Sequence, residues 1–64
     1  MDKKEIGAKL RNLRGEKTLA EVSSAVGISI SAITMYECGE RVPRDEIKIK
    51  LAEYYGVSVE SLFF

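Results

Sequence analysis

The stretch Leu19 to Cys38, LAEVSSAVGISISAITMYEC, decides how the whole chain is read. Val22 and Val26 stand one helical turn apart, Gly27 breaks the pattern, and Ile33 and Tyr36 resume it on a second short stripe. Two stripes this short cannot hold isolated helices in water, so each needs the other and a surrounding core. Ser23 is small where the two helices would pass closest, and Ile28 supplies an apolar plug at the turn. Gly27 suits the corner because a left-handed backbone costs glycine little. Ser29 then caps the second helix, which runs to about Glu37 and stops at Gly39.

Working outward, Ile6, Leu10 and Leu13 recur at steps of four and three and predict a first helix over Lys3 to Arg14. Asp2 is its expected N-cap and Gly15 its end. Thr18-Leu19-Ala20-Glu21 fits a capping box, with the Thr18 hydroxyl on an early amide and Glu21 reaching back to the Thr18 amide. Beyond the central stretch, Glu40 to Pro43 reads as a loop, with Val42 held extended by the proline. Asp45 and Glu46 fall in the first turn of a fourth helix, where negative charge is favoured. Ile47, Leu51 and Tyr54 form one apolar row on it and Ile49 with Ala52 another, which marks this helix as a central strut. Gly56 closes it, Val57 enters the core, and Ser58 caps a last short helix carrying Val59, Leu62 and Phe63. The fold class is all-α, a compact five-helix domain occupying residues 1–64 as a single unit.

Composition narrows the function. The 64 residues include ten basic and ten acidic side chains, one cysteine and no histidine. Without histidine or a second cysteine, a metal site is not expected, and Cys38 reads as a small, partly buried residue near a helix end. No nucleophile has a visible base, no glycine-rich phosphate loop occurs, and Glu37, Glu40, Asp45 and Glu46 read as solvated caps and faces. An enzyme and a cofactor are therefore not expected. Nothing near the N-terminus resembles a signal peptide or a membrane span, so the expected location is cytoplasmic.

Two short helices held at a sharp angle by a glycine turn have the layout of a DNA-reading helix-turn-helix. On that layout the third helix lies in the major groove of a double-stranded DNA operator. Ser31 and Thr34 would exchange hydrogen bonds with base edges, and Ile30, Ala32 and Met35 would pack on thymine methyls, giving a preference for A·T pairs. Arg41 and Arg44 would hold phosphates on one side, and Thr18 at the positive end of the second helix on the other. The zero net charge removes the general pull of most nucleic-acid binders. Distribution partly restores it: Lys3, Lys4, Lys9, Arg11, Arg14 and Lys17 precede the motif, and Arg41, Arg44, Lys48 and Lys50 follow it, with no Lys or Arg between Leu19 and Cys38. The alternative is a protein-interaction module using the same helical face, favoured by Ile30, Met35 and the charge balance. A salt titration separates the two, because only the DNA binder loses affinity steeply.

The segments IGAKLRNLR, EVSSAVGIS, SAITMYECGERVP and KLAEYYGVSVESLFF, in that order, resemble the lambda-repressor-like, or XRE-family, helix-turn-helix transcriptional regulators over essentially the whole chain. The resemblance implies a sequence-specific DNA-binding regulator, commonly a repressor linked to phage or mobile elements and often a homodimer on a palindromic operator. It implies base-reading places at Ser29, Ile30, Ser31, Thr34 and Met35, and backbone-contacting places at Thr18, Leu19, Arg41 and Arg44. It also implies a pair between Arg14 and Glu37 that fixes the angle between helices, beside the turn at Gly27. Leu19 stands where relatives often carry Gln, and Ile30 where many carry a polar or cationic reader. The link Gly15 to Lys17 is about two residues shorter than in many members.

At the C-terminus, Leu62, Phe63 and Phe64 read as a self-association surface. A two-fold dimer would set two reading helices about 34 Å apart, one turn of DNA. The other possibility is that both rings fold back onto the core beside Ile6 or Tyr54.

Overall fold

The computed structural model describes residues 2–64, and five helices carry them: α1 Lys3–Arg14, α2 Leu19–Val26, α3 Ile30–Glu37, α4 Asp45–Tyr55 and α5 Val59–Phe63. Among the described residues there is no strand. The helix starts are set by side-chain caps. Asp2 Oδ1 accepts the Glu5 amide at 2.8 Å, and the hydroxyls of Thr18, Ser29 and Ser58 each accept the amide three residues on, at 3.0, 3.0 and 3.1 Å. Each such cap contributes about 1 kcal/mol. The capping box at Thr18 is only half made, since Glu21 returns no hydrogen bond to the Thr18 amide.

Gly27 adopts φ 79° and ψ 34°, and the Ile28 amide reaches back to the Ser23 carbonyl at 3.3 Å. This closing turn satisfies carbonyls that the helix end would leave bare. The Ser23 hydroxyl donates to the Ile28 carbonyl, so Ser23 ties the corner as well as leaving room for it. The result is an angle of 110° between α2 and α3.

The core is Ile6, Leu10, Val22, Val26, Ile33, Tyr36, Ile47, Leu51, Leu62 and Phe63. Its most extensive helix pairing is α1 on α3, while α4 packs against α2 and α5 from one side. The central strut is therefore the α1–α3 pair and not α4. Ile49 is 51% exposed, so the apolar arc of α4 is narrower than the sequence suggests. Ile47, Leu51 and Ala52 are buried, so of the second row only Ala52 is covered, and Ile49 lies at the edge beside Val59 and Phe64.

Gly7 explains why α1 and α3 pair so closely. A Cβ at this position would lie 2.5 Å from the Glu37 carbonyl oxygen and 2.7 Å from that of Tyr36. Only a residue without a side chain lets the two backbones touch.

The C-terminal helix corrects the expectation of a self-association surface at Leu62 and Phe63. These side chains are 1% and 3% exposed, and only Phe64, at 70%, faces solvent. The Ser58 cap turns α5 back over the domain, and the Lys9 ammonium donates to the Ser61 carbonyl at 2.8 Å, fastening α5 to α1. In so short a helix the spacing of Leu62 and Phe63 points both inward, and Val59 is half-buried at the edge. Cys38 also departs from expectation, being exposed at the end of α3.

Candidate nucleic-acid interface

The outer face of α3 is built by what its inner face does. Ile33 and Tyr36 are buried against α1 and α2, so Ile30, Ser31 and Thr34 are turned to solvent. Ile30 is 46% exposed, unusual for a large aliphatic residue with a core at hand. Ser29 serves as the cap, its hydroxyl accepting the Ala32 amide, so its lone pairs are partly spent. Thr34 Oγ1 donates to the Ile30 carbonyl at 3.0 Å. Among the described residues Ser31 has the one hydroxyl on this face that makes no hydrogen bond within the chain.

Two of the expected readers present less surface. Met35 is half-buried rather than exposed, and Ala32 is half-buried and packed against the core. Both are on the flanks of the inward stripe of Ile33 and Tyr36. The exposed patch is therefore confined to the first part of α3, the part that meets bases when a recognition helix docks by its N-terminal end.

At the start of α2, Thr18 caps the helix and leaves the Leu19 and Ala20 amides, the first two of the helix, without intrahelical acceptors. Those amides and the dipole behind them would suit an anion, and this corner is the candidate phosphate seat. The Leu19 side chain packs against the core and contributes only its backbone to that seat.

Arg14 holds this seat in register with α3. Its Nε and Nη2 donate to the two Glu37 carboxylate oxygens at 2.8 and 3.0 Å, and its Nη1 donates to the Lys17 carbonyl at 2.9 Å. One guanidinium thus grips the end of α3 and the link into α2 together. The hydrogen bond to Glu37 is the main reason the Arg14 pKa lies above its ordinary value, with burial opposing it. Pairing also offsets the negative charge of Glu37 at the end of α3.

Arg41 and Arg44 are exposed on the link between α3 and α4, which is anchored by Pro43, one of the most fully buried side chains in the molecule. Folding of the chain end helps here too, because the Glu40 amide donates back to the Met35 carbonyl at 2.9 Å. The sequence signals that pass unnoticed without the structure are Gly7, Pro43 and the third bond of Arg14. A glycine inside an otherwise good helix, at a cost of about 1 kcal/mol relative to alanine, is the one that stands out on inspection. Among the described residues no cluster of His, Cys, Asp or Glu is arranged to hold a metal ion, and no single helix is long and apolar enough to cross a membrane.

A capped pair of short helices crossing at a glycine corner, with the second helix bare along its leading face, defines a helix-turn-helix domain. The chain matches the helix-turn-helix domain family over residues 5–62 and belongs to it. It is similar to the cryptic phage CTXphi transcriptional repressor RstR of Vibrio cholerae, with 37% identity over 57 residues, covering 86% of this chain and 51% of the relative. A second RstR, from the serotype O1 El Tor strain of Vibrio cholerae, is 35% identical over 46 residues, covering 72% of this chain and 41% of that protein. The chain spans about half the length of the curated relatives it matches. No solved structure matches it.

Proposed function

We propose that this protein is a sequence-specific DNA-binding transcriptional regulator, a repressor acting in the cytoplasm, that reads the major groove with α3. The observation that carries the proposal is the exposed Ile30, Ser31 and Thr34 face standing at 110° to α2, whose first amides are free for a phosphate. The family membership and the similarity to RstR, a transcriptional repressor, support it. They favour binding over catalysis. Arg41 and Arg44 supply further phosphate contacts from the Pro43-anchored link.

The active form is a homodimer, which a palindromic operator would select. With Leu62 and Phe63 committed to the core, the surface for a second copy is the exposed Phe64 beside Ile49 and the half-buried Val59.

Binding selection from a random duplex pool tests activity and site symmetry together. A defined, two-fold site is expected. Ser31→Ala combined with Thr34→Ala abolishes preference for that site and leaves the thermal melt nearly unchanged, since both are exposed. Arg41→Ala with Arg44→Ala weakens all sequences alike and lowers the salt slope by about 2 per subunit. Selection that returns no preferred sequence, with binding indifferent to salt, removes DNA from the account in favour of a protein partner on the same face.

A further inference from the structure

We infer, resting on the DNA-binding reading above, that the α3 face recognises the C5-methyl group of pyrimidines, and that it accepts 5-methylcytosine in place of thymine. The starting point is the bond from Thr34 Oγ1 to the Ile30 carbonyl. A hydroxyl has one proton, and here it is spent inside the helix. Thr34 is left with lone pairs, which can only accept, and with its methyl as the free branch of the side chain.

Ile30 lies four residues before Thr34, on the same row of the helix. It is the one large apolar side chain of α2 or α3 counted among the exposed residues, at 46%. Ile30 and the Thr34 methyl therefore form a short apolar strip along the leading edge of the reading helix. Among the described residues, Ser31 beside it has the one hydroxyl on this face that makes no hydrogen bond within the chain.

The side chains that ordinarily read bases by paired hydrogen bonds are missing. Between Leu19 and Cys38 there is no Arg or Lys to grip guanine and no Asn or Gln to grip adenine. Glu37 is held by Arg14 and cannot turn to a base. Beside the one free hydroxyl of Ser31, what remains to tell one base pair from another is the methyl that thymine carries in the major groove and cytosine does not. 5-Methylcytosine places a methyl at the same ring position. Its N4 amine is a donor, which suits the lone pairs of Thr34 as the N6 amine of adenine does.

The test uses the full chain and the duplex recovered by the selection described above. At each thymine of that site, uracil is substituted, which removes the C5-methyl and nothing else. In parallel each T·A pair is changed to C·G and to 5-methylcytosine·G. At the steps facing Ile30 and Thr34, uracil is expected to weaken binding about fourfold per methyl lost, the factor for burying one such carbon. C·G weakens it at least as much, and 5-methylcytosine·G recovers most of that loss. Ile30→Ser, whose folding is checked by its melt, should bind thymine and uracil duplexes alike at the step it faces. Equal affinity of the unaltered chain for thymine and uracil at every position of a well-defined site, or 5-methylcytosine·G binding no better than C·G at the steps where uracil weakens it, overturns the inference and leaves DNA binding standing. Failure to recover any site overturns both.

Discussion

The seam between α1 and α3 and the end built by α4 and α5 are held by opposite means. At the seam, backbone lies on backbone over Gly7, and the Arg14 fork closes the contact at its far end. Nothing there is adjustable. At the other end, side chains do the work: Leu62 and Phe63 fill the core, and the Lys48 ammonium lies 5.7 Å from the Phe63 ring centre and 4.9 Å from that of Phe64. Long side chains of this kind can shift to absorb a change. On the proposed function, the helix that needs an exact attitude is mounted on the rigid seam, and the proposed contact with a second copy falls at the end with slack.

The largest expected effect lies in the slack end, but in its core. Phe63→Ala should cost about 3–5 kcal/mol, whereas Phe64→Ala should alter monomer stability by less than about 0.5 kcal/mol, both read by urea titration. Similar losses at the two positions would mean that Phe64 is covered too. Gly7→Ala comes next. By helix propensity it should stabilise α1 by about 1 kcal/mol. The Cβ has no room against the α3 carbonyls, so the expected result is a net loss of about 1–3 kcal/mol and a displaced α3. A neutral or stabilised Gly7→Ala variant would show that the seam has the same give as the other end.

The sequence carries the secondary structure openly because each helix start is a local event. Asp2, Thr18, Ser29 and Ser58 cap by bonds that span three residues, and Gly27 turns by its own dihedral angles. Burial around a helix is less local. The pattern of α4 marks Ile49 as apolar but cannot say that its packing partners stop short of covering it. Met35 and Phe63 show the same limit: periodicity gives the face, and the placement of neighbours decides how wide the covered sector is. The Arg14–Glu37 pair was legible only through family resemblance, since 23 residues separate the partners. The bond from Thr34 to Ile30 is a choice of rotamer and leaves no mark on the sequence at all.

The smallest expected effect concerns Tyr55, which joins the two regions. It ends α4, half-buried against the core, and its phenol feels the charges of Glu37 and Arg14 at the seam. Burial, and after it the Glu37 carboxylate, hold its proton on and place its pKa above the ordinary 10.0, while Arg14 pulls weakly the other way. The unfolded chain, lacking those neighbours, gives the proton up earlier. The contribution is therefore intact below about pH 10 and fades as pH rises through the folded-state value. Urea titrations of the parent and of Tyr55→Phe should run parallel up to that point. Above it the parent should lose stability faster, because phenylalanine has no proton to release. Curves that stay parallel into the alkaline range would mean that the ring of Tyr55 is no closer to the seam than to water, and that the two regions are not coupled through it.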